Sequence, residues 1–440
     1  MCSHQYKIER SFAGFLFLLG CMTLPFFNDF PLLSGYLPSL ADLSTFFFLL
    51  AALFFVFESF VHKRYIKITY FEFVFVLFLI SYVWLTVLWN LSKSGSVCGL
   101  SICGVERMIT SGLSMTARLS LLLVLISLVR AEGMARVSVF IRIGFYLSFC
   151  YVLLELIDLC VPFYLGYPEL GFHNLIEGYF HLRPIDYIPN RTRGLAFEPS
   201  FQGVFLIICL PFLVADHNCK RSSRNIKAWM VCILSTASVA AIFSAIFFYI
   251  AYKFNGRKYL IFSILIIIIS IVALIGYISL IDITSLTSTL SRTGSWVGGF
   301  IGTIENFSFG VGPGMSGYWV TNYYPDFFFY SVEAWGWYLQ GRDFLQAPTF
   351  ASLFTFSLDY GVLFCLLIFA CLYFKGILHA TLRSPIGRAS ILSLFIASFA
   401  LSSYQVWGYF LFLAITISRG WGQLDLIKVP LGKLDGNDKW

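Results

Sequence analysis

Two arginine-bearing stretches hold the residue types best suited to chemistry. The first reads Asn190-Arg191-Thr192-Arg193-Gly194-Leu195-Ala196-Phe197-Glu198-Pro199-Ser200-Phe201-Gln202. The second opens Leu290-Ser291-Arg292-Thr293-Gly294-Ser295-Trp296 and runs to the turn Phe309-Gly310-Val311-Gly312-Pro313-Gly314. A guanidinium presents a planar fork of donors that matches phosphate and diphosphate oxygens. Glu198, beside Arg191 and Arg193, is a candidate acid or base. It also suits a plainer role, because the helix dipole favours a carboxylate at a helix start. For any one arginine, pairing with Asp186, Glu198, Glu305 or Asp343 explains the charge as well as anion binding does; for the group, anion binding explains more. Gln202 closes the first stretch, and Trp296 follows Arg292 by four residues. Further on come Tyr318, Trp319, Tyr323, Tyr324, Trp335, Trp337 and Tyr338. Such rings either form an interfacial belt or stack on sugar faces, and Tyr323 and Tyr324 are the stacking candidates.

The elements that must hold these residues follow from composition. The chain has 440 residues, of which 58% are hydrophobic, 19% aromatic and 12% charged. Mean hydropathy is +0.80. Soluble domains carry about 25% charged residues, and their cores fill long before this much apolar surface is used. A cytosolic enzyme, a disordered chain and a small disulfide scaffold are therefore excluded. The apolar residues come in blocks of about 17–25, the length that spans a bilayer as a helix; a barrel would show roughly ten-residue alternating segments. The expected fold is an all-α polytopic membrane protein. The net charge of +7 does not point to nucleic acid, because no basic stripe is interleaved with stacking rings.

Helices are expected at about 11–27, 41–61, 68–90, 113–129, 137–158, 199–216, 259–281 and 348–374. The first is read as a retained helix, since it lacks a small-residue cleavage site. The segment 228–252 has basic flanks on both sides and is interrupted by Ser235, Thr236 and Ser238, which predicts a hairpin of two short helices. The stretch 389–418 is split by Ser402, Ser403, Tyr404 and Gln405. The total is about twelve helices. Of the 30 Lys and Arg, 21 fall in the N-terminus, the loops at 62–67, 130–136, 217–227, 253–258 and 375–388, and the tail. The positive-inside rule puts these in the cytoplasm with both termini. Lys93, Arg107, Arg183, Arg191, Arg193, Arg292 and Arg342 then lie outside, mostly in the two long loops 159–198 and 282–346. Cys98 and Cys103 share one short outer loop and can pair if it faces an oxidising compartment.

Charges within the apolar blocks are few, and such charges mark function or a buried partner. Arg142 can snorkel to the near surface. Arg118 can face the same cavity as the loop arginines. Asp359, followed by Tyr360-Gly361, can pair with Arg118 or carry protons. No metal-ligand spacing and no Gly-x-Ser-x-Gly elbow occurs. The glycine run lacks the Lys-Ser/Thr of a phosphate loop and suits a tight turn.

At these residues the chain resembles the O-antigen polymerase (Wzy) family, within the wider group of lipid-linked saccharide polymerases and O-antigen ligases. The first motif, Arg191 to Ser200, matches that family's Arg-x-x-Gly-Leu…Glu-Pro-Ser pattern; Arg292, Trp296 and Phe309 to Gly314 match its second-loop pattern. Asp359-Tyr360-Gly361 fits the helix after the second loop. The ligase branch carries a histidine before that helix, where this chain reads Phe344-Leu345-Gln346-Ala347-Pro348-Thr349. The resemblance implies a GT-C-like glycosyltransferase of the bacterial inner membrane with two large periplasmic loops. Undecaprenyl-diphosphate-linked oligosaccharides would be donor and acceptor, and a polysaccharide co-polymerase would set chain length. It implies no cofactor and no metal. Arg191, Arg292 and Glu198 are its catalytic candidates; Arg193, Arg118, Gln202, Trp296, Tyr323 and Tyr324 are its substrate-binding candidates. The alternatives are a ligase, or a flippase or transporter of lipid-linked saccharide, which would set its arginines along a central cavity.

Overall fold

The computed structural model describes residues 11–26, 43–61, 68–160, 192–196, 199–215, 219–254, 287–349, 351–398 and 407–427. Among them there is no β-strand. The helices are α1 (Phe12–Met22), α2 (Leu43–Val61), α3 (Tyr70–Asn90) and α4 (Gly104–Cys160), then α5 (Pro199–Val214), α6 (Cys219–Ser235) and α7 (Val239–Lys253). After them come α8 (Thr287–Glu305), α9 (Ser316–Trp319), α10 (Val332–Phe344), α11 (Ser352–Tyr360) and α12 (Val362–Phe374). The last are α13 (Ile377–Arg383), α14 (Pro385–Ala397), α15 (Trp407–Ile417) and α16 (Gly420–Ile427). Three of these, α2, α3 and α4, are long and apolar enough to cross a membrane, and α11 with α12 makes a fourth if the bent pair is one span.

Local sequence accounts for the boundaries. Thr69 caps α3 through a capping box with Glu72, whose carboxylate also pairs with Arg130. Helical geometry in α4 breaks at Gly133, between Arg130 and Arg136, so α4 is two limbs where two helices were expected. Pro199 opens α5 at its first turn, as Pro favours. Thr236 to Ser238 separates α6 from α7, as the interrupted block predicted. The Arg388 guanidinium donates to the Ala251 and Phe254 carbonyls and closes the end of α7.

Three expectations gain detail from the described residues. The first limb of α4 begins at Gly104, not near 113, which shortens the preceding loop. The described part of 282–346 is mostly helical, because its glycines let a helix pack closely under rings. The expected helix 348–374 is two helices bent by 102° at Gly361. The expected span at 259–281 lies outside the described residues.

The main core runs through α1, α3, α4, α5, α14 and α15. A second core joins Val87 and Met108, at the ends of α3 and α4, to Val311, Met315, Val320, Tyr324, Phe328 and Leu358. Large apolar side chains stay exposed along the spans, among them Leu53, Phe57, Phe60, Leu77, Leu88 and Leu113. Such a surface suits contact with lipid tails, not water.

Candidate functional site

The first motif closes into an anchored turn before α5. Gly194 has φ +58°, a conformation that favours glycine, and a Cβ there would come within 2.7 Å of the Gln202 amide carbon and 2.8 Å of Ser148 Oγ. The Arg193 and Gly194 backbone N–H groups donate to Glu155 Oε2 at 3.1 and 2.8 Å. The Arg193 Nε stands 3.7 Å from Glu155 Oε1. On the other side, the Thr192 N–H donates to the Ser235 carbonyl at 3.0 Å, and the two hydroxyls lie 2.6 Å apart. Gln202 Nε2 donates to Ser148 Oγ at 2.7 Å. The turn is thus held between the end of α4 and the break between α6 and α7. Thr192, Arg193, Glu155, Asp158 and Gln202 are all buried.

Glu155 and Asp158 are the residues that sequence reasoning missed. The available signal was two acids three apart in the last turns of a strongly apolar helix, where ionisable groups are costly and usually have a task. Arg191 and Glu198, the two catalytic candidates of this motif, lie outside the described residues, so their geometry is not described. Arg193 and Gln202 are brought together around Gly194.

The second motif lies on α8, which presents two unlike faces. Gly294, Gly298 and Gly302 take the rings of Phe328, Tyr324 and Tyr323 against the helix backbone. Arg292, Trp296 and Phe300 are exposed. Positions two residues apart fall on roughly opposite sides of a helix. The structure therefore separates residues the sequence grouped. Arg292 and Trp296 share one face, whereas Tyr323 and Tyr324 pack on the other. Tyr324 is buried and stacks on Phe328 with ring centroids 3.9 Å apart, a packing role. Burial pushes its hydroxyl pKa up, and that of Tyr323 likewise. The Tyr323 hydroxyl accepts from Asn306 Nδ2 at 3.1 Å.

Several cations expected outside now have local partners. Lys93 donates to Asn306 Oδ1 at 2.5 Å and sits 4.5 Å from the Trp319 ring centroid. Burial lowers the pKa of its ammonium, and the Glu305 charge opposes that shift. The Arg342 guanidinium lies 4.8 Å from the Tyr318 ring and 5.4 Å from the Tyr338 ring. Arg107 Nε donates to the Gly314 carbonyl at 3.1 Å. Arg118 is buried and donates to Ser114 Oγ at 2.5 Å. Cys98 and Cys103 are disulfide-bonded, and Leu100 in their loop donates its N–H to the Asp343 carbonyl at 2.6 Å.

The glycine run and the Asp359 motif build one joint. Val311 N–H donates to the Leu358 carbonyl at 2.8 Å, Gly312 N–H to the Asp359 carbonyl at 3.2 Å, and Ser316 N–H to Asp359 Oδ1 at 2.9 Å. Tyr82 and Asn90 of α3, and Ser94 in the turn after it, donate to the carbonyls of Ser308, Phe309 and Val311. No group of three or more His, Cys, Asp or Glu able to hold a metal occurs among the described residues.

The described residues thus form an all-helical arrangement with helices able to cross a membrane, and they carry parts of two arginine-bearing motifs. Comparison with known proteins returns no match to a family model, a curated protein or a solved structure.

Proposed function

We propose that the chain polymerises undecaprenyl-diphosphate-linked oligosaccharide units into O-antigen or a related surface polysaccharide. The observation that carries this reading is the buried Arg193-Gly194 turn, anchored to Glu155 and Ser235 directly before the Pro199 helix start. It fixes the backbone of 192–196, the described part of the motif on which the family resemblance rests. In this reading about twelve spans sit in the bacterial inner membrane, with both termini cytoplasmic and the two arginine motifs at the periplasmic face.

The acceptor hydroxyl oxygen attacks the anomeric carbon of the lipid-linked donor. The bond from that carbon to the diphosphate oxygen breaks, and undecaprenyl diphosphate leaves with the electron pair. Arg191 and Arg292 stabilise its negative charge where water is scarce. Glu198 takes the acceptor proton. The exposed face of α8, with Arg292 and Trp296, offers the guanidinium and an adjoining ring to the donor. The protein needs no metal in this scheme, because the arginines supply the positive charge.

The test is the surface-glycan ladder of cells that carry Arg191→Ala or Arg292→Ala, with membrane insertion checked in parallel. Short chains with normal insertion are expected. Full-length polysaccharide in both variants overturns the proposal. A synthetic lipid-linked repeat unit incubated with purified protein separates polymerase from ligase: a polymerase yields a ladder, a ligase a single transfer to lipid A core.

A further inference from the structure

Among the described residues, one side of the helix α10 is exposed. Val332 is 84% exposed, Trp335 51% and Leu339 52%. These positions recur at three and four residues and so share one face. Ala334 and Gly341 on the far side are buried, and a Cβ on Gly341 would press within 2.7 Å of the Gly317 carbonyl. Tyr330, just before the helix, is 74% exposed. Trp335 packs its inner edge against Phe329 and Tyr338, with centroids 4.9 and 6.0 Å away.

The height of this face relative to the spans is fixed by contacts. The loop joining α3 to α4 is held to the last turn of α10 by the Leu100–Asp343 hydrogen bond. That loop links the ends of two helices able to cross a membrane. The core beneath α10 includes Val87 and Met108 from those same ends. Leu88, Trp89 and Leu100 there are exposed by 64, 65 and 77%. The helix α10 thus lies at the level where the two spans end, and apolar side chains of both α10 and the span ends are exposed there. Trp and Tyr favour that level, since the ring body is apolar and the tip polar.

We propose that α10 is a membrane-surface helix whose Val332, Trp335 and Leu339 enter the boundary between lipid headgroups and acyl chains. Glu333 and Gln340, exposed and turned away from this face, remain in water. The inference is independent of the polymerase reading, because it rests on the placement of α10 alone. It also fits the ring contacts of the neighbouring cations, Arg342 with Tyr318 and Tyr338 and Lys93 with Trp319, since cations at this height are partly desolvated.

The test places the photo-crosslinking residue p-benzoylphenylalanine singly at Val332, Trp335, Leu339 or Gln340 of the full chain. Each variant is reconstituted into phosphatidylethanolamine–phosphatidylglycerol vesicles and irradiated. Mass spectrometry is expected to show lipid adducts at the first three positions and their loss at Gln340. Crosslinks to a second copy at those three positions, or no lipid adduct at any of them, overturns the proposal. All four positions are exposed, so the variants keep the native fold; equal yield of folded protein checks this.

Discussion

Asp359 Oδ1 accepts the backbone N–H of Ser316 at 2.9 Å and so ties the bend between α11 and α12 to the start of α9. The side chain is 1% exposed. Its backbone carbonyl accepts from Gly312 in the same joint. Asp359→Ala leaves the buried Ser316 N–H without this acceptor, at a cost of about 1–3 kcal/mol. Asp359→Asn keeps an acceptor oxygen in place and costs less. Thermal unfolding in detergent measures the order: wild type, then Asn, then Ala. Equal stability of the two variants would remove the hydrogen bond as the cause.

Much of this architecture was legible in the sequence, and the parts that were not share a physical reason. The break at Gly133 lay between Arg130 and Arg136, and charged residues resist the bilayer core, so it was visible as a basic turn. Pro199 announced α5, and Thr236 with Ser238 announced the gap between α6 and α7. The two faces of α8 were not legible. Low apolarity and frequent glycine read as loop, and only the incoming rings of Phe328, Tyr324 and Tyr323 make those glycines a packing surface. Glu155 was missed because its partners, Arg193 and Gly194, are 38 and 39 residues away in the chain. Asp359 was noticed as a charge, but its contact with Ser316 spans 43 residues and no local pattern encodes it.

The joint predicts which glycines tolerate a methyl group. Gly310 has φ +61°, and a Cβ there would overlap the Leu358 carbonyl that accepts from Val311. Gly310→Ala combines backbone strain of about 1–3 kcal/mol with displacement of that strand of hydrogen bonds. Gly336, inside α10, has nothing within 4 Å of a built Cβ. Gly336→Ala stabilises, by about 0.5–1 kcal/mol, through better helix propensity. Opposite shifts of the unfolding midpoint are expected; shifts of one sign would contradict the described packing.

Burial raises the pKa of Tyr324 above its ordinary value of 10.0. The folded state then keeps the phenol proton at a pH where the unfolded chain has lost it. The stability this contributes is complete below pH about 10 and is lost as pH rises through the higher folded value. Tyr323 shifts in the same direction. Thermal stability should therefore fall between pH about 10 and 12. Tyr324→Phe retains the ring that stacks on Phe328 and removes the titrating hydroxyl, so its midpoint should fall less over that range. An unchanged slope in Tyr324→Phe would assign the alkaline loss to other groups.

Glu155 is expected to set the geometry of the Arg193 turn without touching substrate. Its Oε2 accepts two backbone N–H groups, and its Oε1 faces the Arg193 Nε at 3.7 Å. Glu155→Gln can keep a carbonyl oxygen toward both N–H groups while the charge opposite Arg193 is lost. Glu155→Ala loses both, and each buried N–H left without this acceptor costs about 1–3 kcal/mol. The unfolding midpoint should drop most in Glu155→Ala and modestly in Glu155→Gln. If the turn also presents Arg191 to a diphosphate, Glu155→Ala should shorten the surface-glycan ladder as is expected of Arg191→Ala, and Glu155→Gln should retain most of it. A ladder lost in Glu155→Gln at near-normal stability would instead assign the carboxylate charge itself to the reaction. A full ladder in Glu155→Ala would detach the anchored turn from function while leaving its structural role intact.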